Sequence, residues 1–139
     1  MEKKKVKKSF TNLFYYWLPV FVWAAFIFFL SSRPGLKIAT GTLDFLTRKP
    51  AHILEFFILS LLLVRASTLG LFKRPGTFFV LGLSFLLSLF YAGLDEVHQT
   101  FVPLREGKIS DILFDSVGSF FAILAGWKLF QNRQNKPKK

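Results

Sequence analysis

Apolar residues fall in four long runs, and most of the charge lies outside them, in the short breaks and at the two termini. Ser9–Ser32 contains no charged residue. About 20 apolar residues suffice for a helix to cross a bilayer core, so this run predicts a full span. A second run, AHILEFFILSLLLVRASTLG, covers 51–70; a third covers 77–94; a fourth starts at Ile109 or Ser110 and reaches Phe130. The breaks carry turn signals. Ser31-Ser32-Arg33-Pro34-Gly35 ends the first run and Lys73-Arg74-Pro75-Gly76 follows the second. Between Gly35 and Pro50 the pattern predicts a mixed loop with an amphipathic turn near 38–46. Pro19 is expected near the first turns of the first helix, where neighbouring helices absorb a missing hydrogen bond. The fold expected is all-α, a polytopic membrane protein built as a four-helix transmembrane bundle. Its parts are a basic N-terminus (1–9), the membrane domain (10–130) and a basic, disordered tail (131–139).

The third break departs from the others. Leu94–Gly118 holds five of the eight acidic residues (Asp95, Glu96, Glu106, Asp111, Asp115), one of the two histidines (His98), and Arg105 in a Pro-bearing turn. Ionisable groups in membrane-spanning segments cost on the order of 2.5–3.5 kcal/mol each at a helix centre, which makes them functional candidates by default. His52 and Glu55, near the start of the second run, are i,i+3 neighbours on one helix face, and Lys49 precedes them by another three residues. On the third helix Ser84, Ser88, Ala92, Asp95 and Gln99 form a mostly polar stripe that should turn away from lipid. On the fourth, Asp111 and Asp115 share a face with Gly118, Ala122 and Gly126, a small-xxx-small seam that lets backbones approach closely. In an up-down bundle all of these acids and histidines fall at the same end.

Composition sets the class more firmly. The 139 residues are 52% hydrophobic with 19 Phe, and mean hydropathy is +0.40, too apolar for a soluble domain of this size. Nineteen basic residues oppose eight acidic ones, and they cluster at the termini and in short loops. That distribution suits an anionic membrane surface better than a nucleic-acid footprint. Placing both termini in the cytoplasm puts 13 of the 19 basic residues inside, which follows the positive-inside rule and sends the polar end outward. Tyr15, Tyr16 and Trp17 then form an inner aromatic belt, and Arg65 reaches the same interface. The first run is long for a signal-peptide core and no small-x-small cleavage pattern ends it, so it is expected to be a retained span. With no cysteine, disulfides and thiolate chemistry are excluded.

Each polar feature has a structural reading beside the functional one. His52 with Glu55, and Asp111 with Asp115, could serve helix N-termini, where a carboxylate meets the positive end of the macrodipole. Asp95 and Glu96 sit at a carboxyl end, where acids oppose the dipole, so they ask for a partner: His98, Arg105 or Lys49. An internal salt-bridge network that fixes helix register is a third possibility.

Four segments together resemble a known family. Ser31-Ser32-x-Pro34, Lys49-x-x-His52-x-x-Glu55-Phe56, Asp95-Glu96-x-His98-Gln99-x-Phe101-x-Pro103-x-Arg105 and Asp111-(x)3-Asp115-x-x-Gly118 look like the VanZ-like family of small bacterial membrane proteins. Leu104 stands where that pattern has Gly, and Asp115 where it can have Asn. The resemblance implies a four-helix envelope protein, with some relatives linked to reduced susceptibility to the glycopeptide teicoplanin. It carries no catalytic assignment, so function has to be argued from the site.

Two classes of function fit the residues. In the first, His52 or His98, paired with Glu55 or Asp95, acts as general acid and base on an envelope lipid or glycan precursor, while Lys49 and Arg105 hold its phosphate or carboxylate. Glu96, Gln99, Asp111 and Asp115 complete the ligand-binding set. In the second, the same pocket binds a lipid-linked precursor, a glycopeptide or a partner protein without catalysis. Asp95, Asp111, Asp115 and a histidine are chemically suited to a divalent ion, but no spaced metal motif such as HExxH occurs. The pattern specifies no cofactor, and it leaves oligomerisation open.

Overall fold

The computed structural model describes residues 2–34, 42–71, 76–103, 105 and 107–134. Four helices follow one another: α1 (Glu2–Ser31), α2 (Thr42–Ala66), α3 (Thr77–Gln99) and α4 (Ile109–Gln134), with a π-helical turn, Ser67–Leu71, closing α2. Every helix contains a stretch long and apolar enough to cross a membrane: Phe14–Ser31, Arg48–Leu69, Thr77–Gln99 and Ile109–Lys128. The all-α, four-span architecture read from the apolar runs is the architecture of the protein.

The boundaries differ from the sequence reading in instructive ways. α2 begins at Thr42, so Pro50 lies within the helix and not at the end of a loop, and Pro19 lies well inside α1. Both prolines are tolerated because proline removes one amide donor from a helix whose partners can re-satisfy the freed carbonyl. Residues 38–41 of the expected amphipathic turn lie outside the described residues, while 42–46 are helical. α4 continues through 131–134, which were expected in a disordered tail. Residues 135–139, Leu104 and Glu106 lie outside the described residues.

α2 is the central element, packing against all three other helices and most extensively against α4. Its span is 44% buried within the protein, whereas that of α1 is 17% buried and leaves Phe14, Phe21, Phe26, Phe28 and Phe29 facing outward. The apolar core joins Val20 and Ile27 of α1, Phe56, Leu59, Leu63 and Ala66 of α2, and Ala92 of α3. Between lipid-exposed helices, apolar burial supplies little net drive, so close packing and internal hydrogen bonds decide the arrangement.

The Gly118-Ala122-Gly126 seam does what its spacing predicts. A Cβ at Gly118 would run into the Ile53 carbonyl and the Phe57 amide of α2, and one at Gly126 would meet the Val64 side chain. Position 118 therefore lies beside 53, and position 126 beside 64. α2 and α4 run in the same direction. α3 runs against them, with Ser88 bonded to Ser119 and Leu81 beside Gly126.

Candidate functional site

The end of α1, the first half of α2, the end of α3 and the start of α4 meet at one end of the bundle, and each junction is made by a polar side chain. Ser31 Oγ donates to Asp95 Oδ2 at 2.8 Å, joining α1 to α3. Lys49 Nζ pairs with Asp111 Oδ1, joining α2 to α4, and stands over the Phe114 ring. Ser32 Oγ and His98 Nε2 are 2.9 Å apart, and the His98 ring stacks on Phe28.

At the centre lie His52, Glu55, Asp95 and Asp115. His52 Nδ1 is 3.5 Å from Asp115 Oδ1 and 3.7 Å from Glu55 Oε2, close ionic contacts but long for hydrogen bonds. Asp115 is 0% exposed, Asp95 2% and His52 8%. Asp115 is six residues into α4, roughly 9 Å below its start at 1.5 Å per residue. Within the protein, both Asp115 carboxylate oxygens, Asp95 Oδ1 and His52 Nδ1 have no hydrogen-bond partner among the described residues. Buried polar atoms are normally bonded, so unpartnered ones need an explanation.

The helix-capping alternative for His52 and Glu55 does not hold. α2 starts at Thr42, so both residues lie in the helix interior, beyond reach of its free N-terminal amides. Asp95 and Glu96 find partners other than His98, Arg105 or Lys49. Asp95 Oδ2 accepts from Ser31 and also from Gln99 Nε2 at 2.8 Å. Glu96 Oε2 accepts the Lys108 backbone amide at 2.7 Å, immediately before α4. An acid that opposes the dipole of its own helix thereby serves the positive end of the next one. Gly107 permits this turn, because a Cβ there would press on the Glu96 carbonyl.

Arg105 Nη1 meets Gln99 Oε1 at 3.4 Å. The guanidinium also donates to backbone carbonyls where α1 ends: Nε to Arg33 and Nη2 to Leu30, both at 3.1 Å. The Leu30 carbonyl also accepts the Arg33 amide at 3.2 Å in the turn that closes α1, so the guanidinium clasps the end of that helix. It holds this thinly packed helix against the bundle.

The predicted residues thus divide into three groups. His52, Glu55, Asp95 and Asp115 come together in the interior; His98 faces α1; Lys49, Glu96, Gln99, Arg105 and Asp111 tie helix ends together. Among the described residues, no three His, Asp or Glu side chains are placed to hold a metal ion. Sequence reasoning missed the roles of Ser31 and Ser119. Ser31 opens the Ser31-Ser32-x-Pro34 segment, and Ser119, four residues after Asp115, bonds both Ser88 and the Asp115 carbonyl.

An apolar four-helix protein of this kind is a polytopic membrane protein, and its buried ionisable groups at one end are the candidate site. Residues 10–131 match the family model VanZ/LLP1, and the chain belongs to the VanZ/LLP1 family. No curated protein and no solved structure matches it significantly.

Proposed function

We propose that this chain acts in the bacterial cell envelope, where its polar end faces outward and engages an envelope lipid or glycan precursor, lowering susceptibility to teicoplanin. The observation that carries the reading is the buried meeting of His52, Glu55, Asp95 and Asp115 from three helices, with acid and base side by side and several polar atoms unpartnered. An imidazole within 4 Å of two carboxylates is equipped to pass a proton to and from a bound group. Lys49 and Arg105 stand at the rim, where an anionic headgroup would arrive. The test is teicoplanin and vancomycin susceptibility of a sensitive Gram-positive host expressing wild type, His52→Ala or Asp95→Asn, with membrane levels matched. Wild type is expected to protect against teicoplanin and both variants to lose protection. A wild type without effect removes the resistance role.

A second reading, non-catalytic binding of an envelope component or partner protein, is favoured by the state of the two rim cations. Lys49 is paired with Asp111 and Arg105 with backbone carbonyls, so each is tied into the scaffold. Under this reading Asp95→Asn keeps most of its effect.

The orientation has an independent test, since the chain has no cysteine. Single cysteines replacing Phe101, at the polar end, and Thr77, at the other, are expected to label with an impermeant thiol reagent from outside and inside respectively. The reverse result places the site in the cytoplasm.

A further inference from the structure

Below the acidic cluster the interior stays polar much farther than the cluster needs. Ser88 and Ser119 share a 2.8 Å hydrogen bond, and Ser119 also donates to the Asp115 carbonyl at 3.1 Å. Ser60 of α2 and Ser84 of α3 follow. Ser60 is one turn before Val64 on α2 and Ser84 one turn after Leu81 on the antiparallel α3, and Val64 and Leu81 both meet Gly126, so the two serines sit at about one depth. Ser60, Ser84, Ser88 and Ser119 are all 0% exposed. Among the described residues, Ser60 Oγ and Ser84 Oγ have no partner within the protein.

A helix serine ordinarily satisfies its hydroxyl on the carbonyl one turn back. These two do not, and an unbonded hydroxyl in an apolar interior costs on the order of 1–3 kcal/mol. Bridging water removes that cost where several polar atoms converge. The line leads from them through Ser88 and Ser119 to Asp115, whose two oxygens are also unpartnered. Asp115 faces His52 and Glu55 on α2 and Asp95 on α3, with Asp111 one turn above it and paired to Lys49, while Glu96 and Arg105 lie toward the rim.

We propose that the bundle encloses a blind, hydrated proton path, running from the His52–Asp115 cluster along Ser119, Ser88, Ser84 and Ser60 and sealed toward the opposite membrane face by the Val64–Leu81–Gly126 layer. Water in the path carries protons to and from Asp115 while the seal keeps the membrane tight. The path does not depend on which envelope molecule the polar end engages, so the susceptibility test and the tests below fail separately.

Serine-to-cysteine changes are near isosteric, which allows a direct test in the full chain purified and reconstituted in liposomes. Cysteines replacing Ser119, Ser88, Ser84 and Ser60 are scanned with a small cationic methanethiosulfonate and read by mass. Lipid-facing Leu86→Cys and Leu124→Cys are the controls. The path positions are expected to react about tenfold faster than the controls, since the reactive thiolate forms in water and not in hydrocarbon. Path positions as inert as Leu86→Cys overturn the proposal. A second measurement opens the seal: Val64→Ser with Leu81→Ser should turn a proton-tight liposome into one that acidifies under a potassium diffusion potential, and adding Asp115→Asn should slow that leak. A double variant that is monodisperse yet as tight as wild type also overturns the proposal.

Discussion

Gly118→Ala is expected to remove most of the folded protein from the membrane, and Gly93→Ala to have almost no effect. A Cβ at 118 meets the Ile53 carbonyl and the Phe57 amide of α2, backbone atoms that cannot turn aside as a side-chain tip can. Accommodating it means separating α2 from α4, the most extensive helix pair in the bundle. Overpacking a tight interior costs about 1–3 kcal/mol, and a backbone-to-backbone clash belongs at or above the upper end of that range. The separation would also draw His52 away from Asp115, since Gly118 lies one turn from Asp115. At Gly93 a Cβ meets nothing within 4 Å. The check is thermal unfolding in detergent together with membrane yield. Equal stability of the two variants would mean that α2 and α4 are not held by their backbones.

Asp95→Ala should be nearly as damaging, for a different reason, and Asp95→Asn much less so. One carboxylate oxygen receives both Ser31 and Gln99, and Gln99 in turn orients toward Arg105, which grips the end of α1. Alanine leaves two buried donors without an acceptor, at about 1–3 kcal/mol each, and releases the hold on a helix that packs thinly elsewhere. Asparagine keeps an acceptor oxygen and the shape. The loss expected is roughly 2–5 kcal/mol for alanine, within the range seen when a buried polar network is broken, and about 1 kcal/mol for asparagine. A cycle with Ser31→Ala should be strongly non-additive, because both changes remove the same bond. Since Asp95→Asn is expected to fold, it also separates the two functional readings: a proton-transfer site is silenced and a binding site is largely spared. Additive losses from Ser31 and Asp95 would show that the bond does not hold α1.

Much of this protein is legible in its sequence because the bilayer reduces the options. A run of apolar residues that must satisfy its own backbone hydrogen bonds in lipid becomes a helix. The four spans follow, and chain reversal alone gathers His52, Asp95, Asp111 and Asp115 at one end. Helical periodicity then places Ser84, Ser88, Ala92, Asp95 and Gln99 on a single buried stripe, as they are found. The glycine seam on α4 is equally readable, since only close backbone approach makes small residues useful at that spacing.

Pairing was decided in three dimensions. Which acid meets which donor depends on how far each helix runs and how it is rotated, and neither is set by charge pattern. Lengthening α2 back to Thr42 moved His52 and Glu55 from a helix start into the interior, which periodicity could not show because Pro50 looked like a boundary. Glu96 found a backbone amide of the next helix, a partner with no signature in any side chain. Arg105 donates to the Leu30 and Arg33 carbonyls where α1 ends, contacts to backbone that no side-chain pattern announces. Ionisable residue types and their spacing were enough to say that the acids and histidines gather at this end of the bundle. The rotation and register of packed helices decided that His52, Glu55, Asp95 and Asp115 share the interior while His98 and Arg105 hold α1 in place.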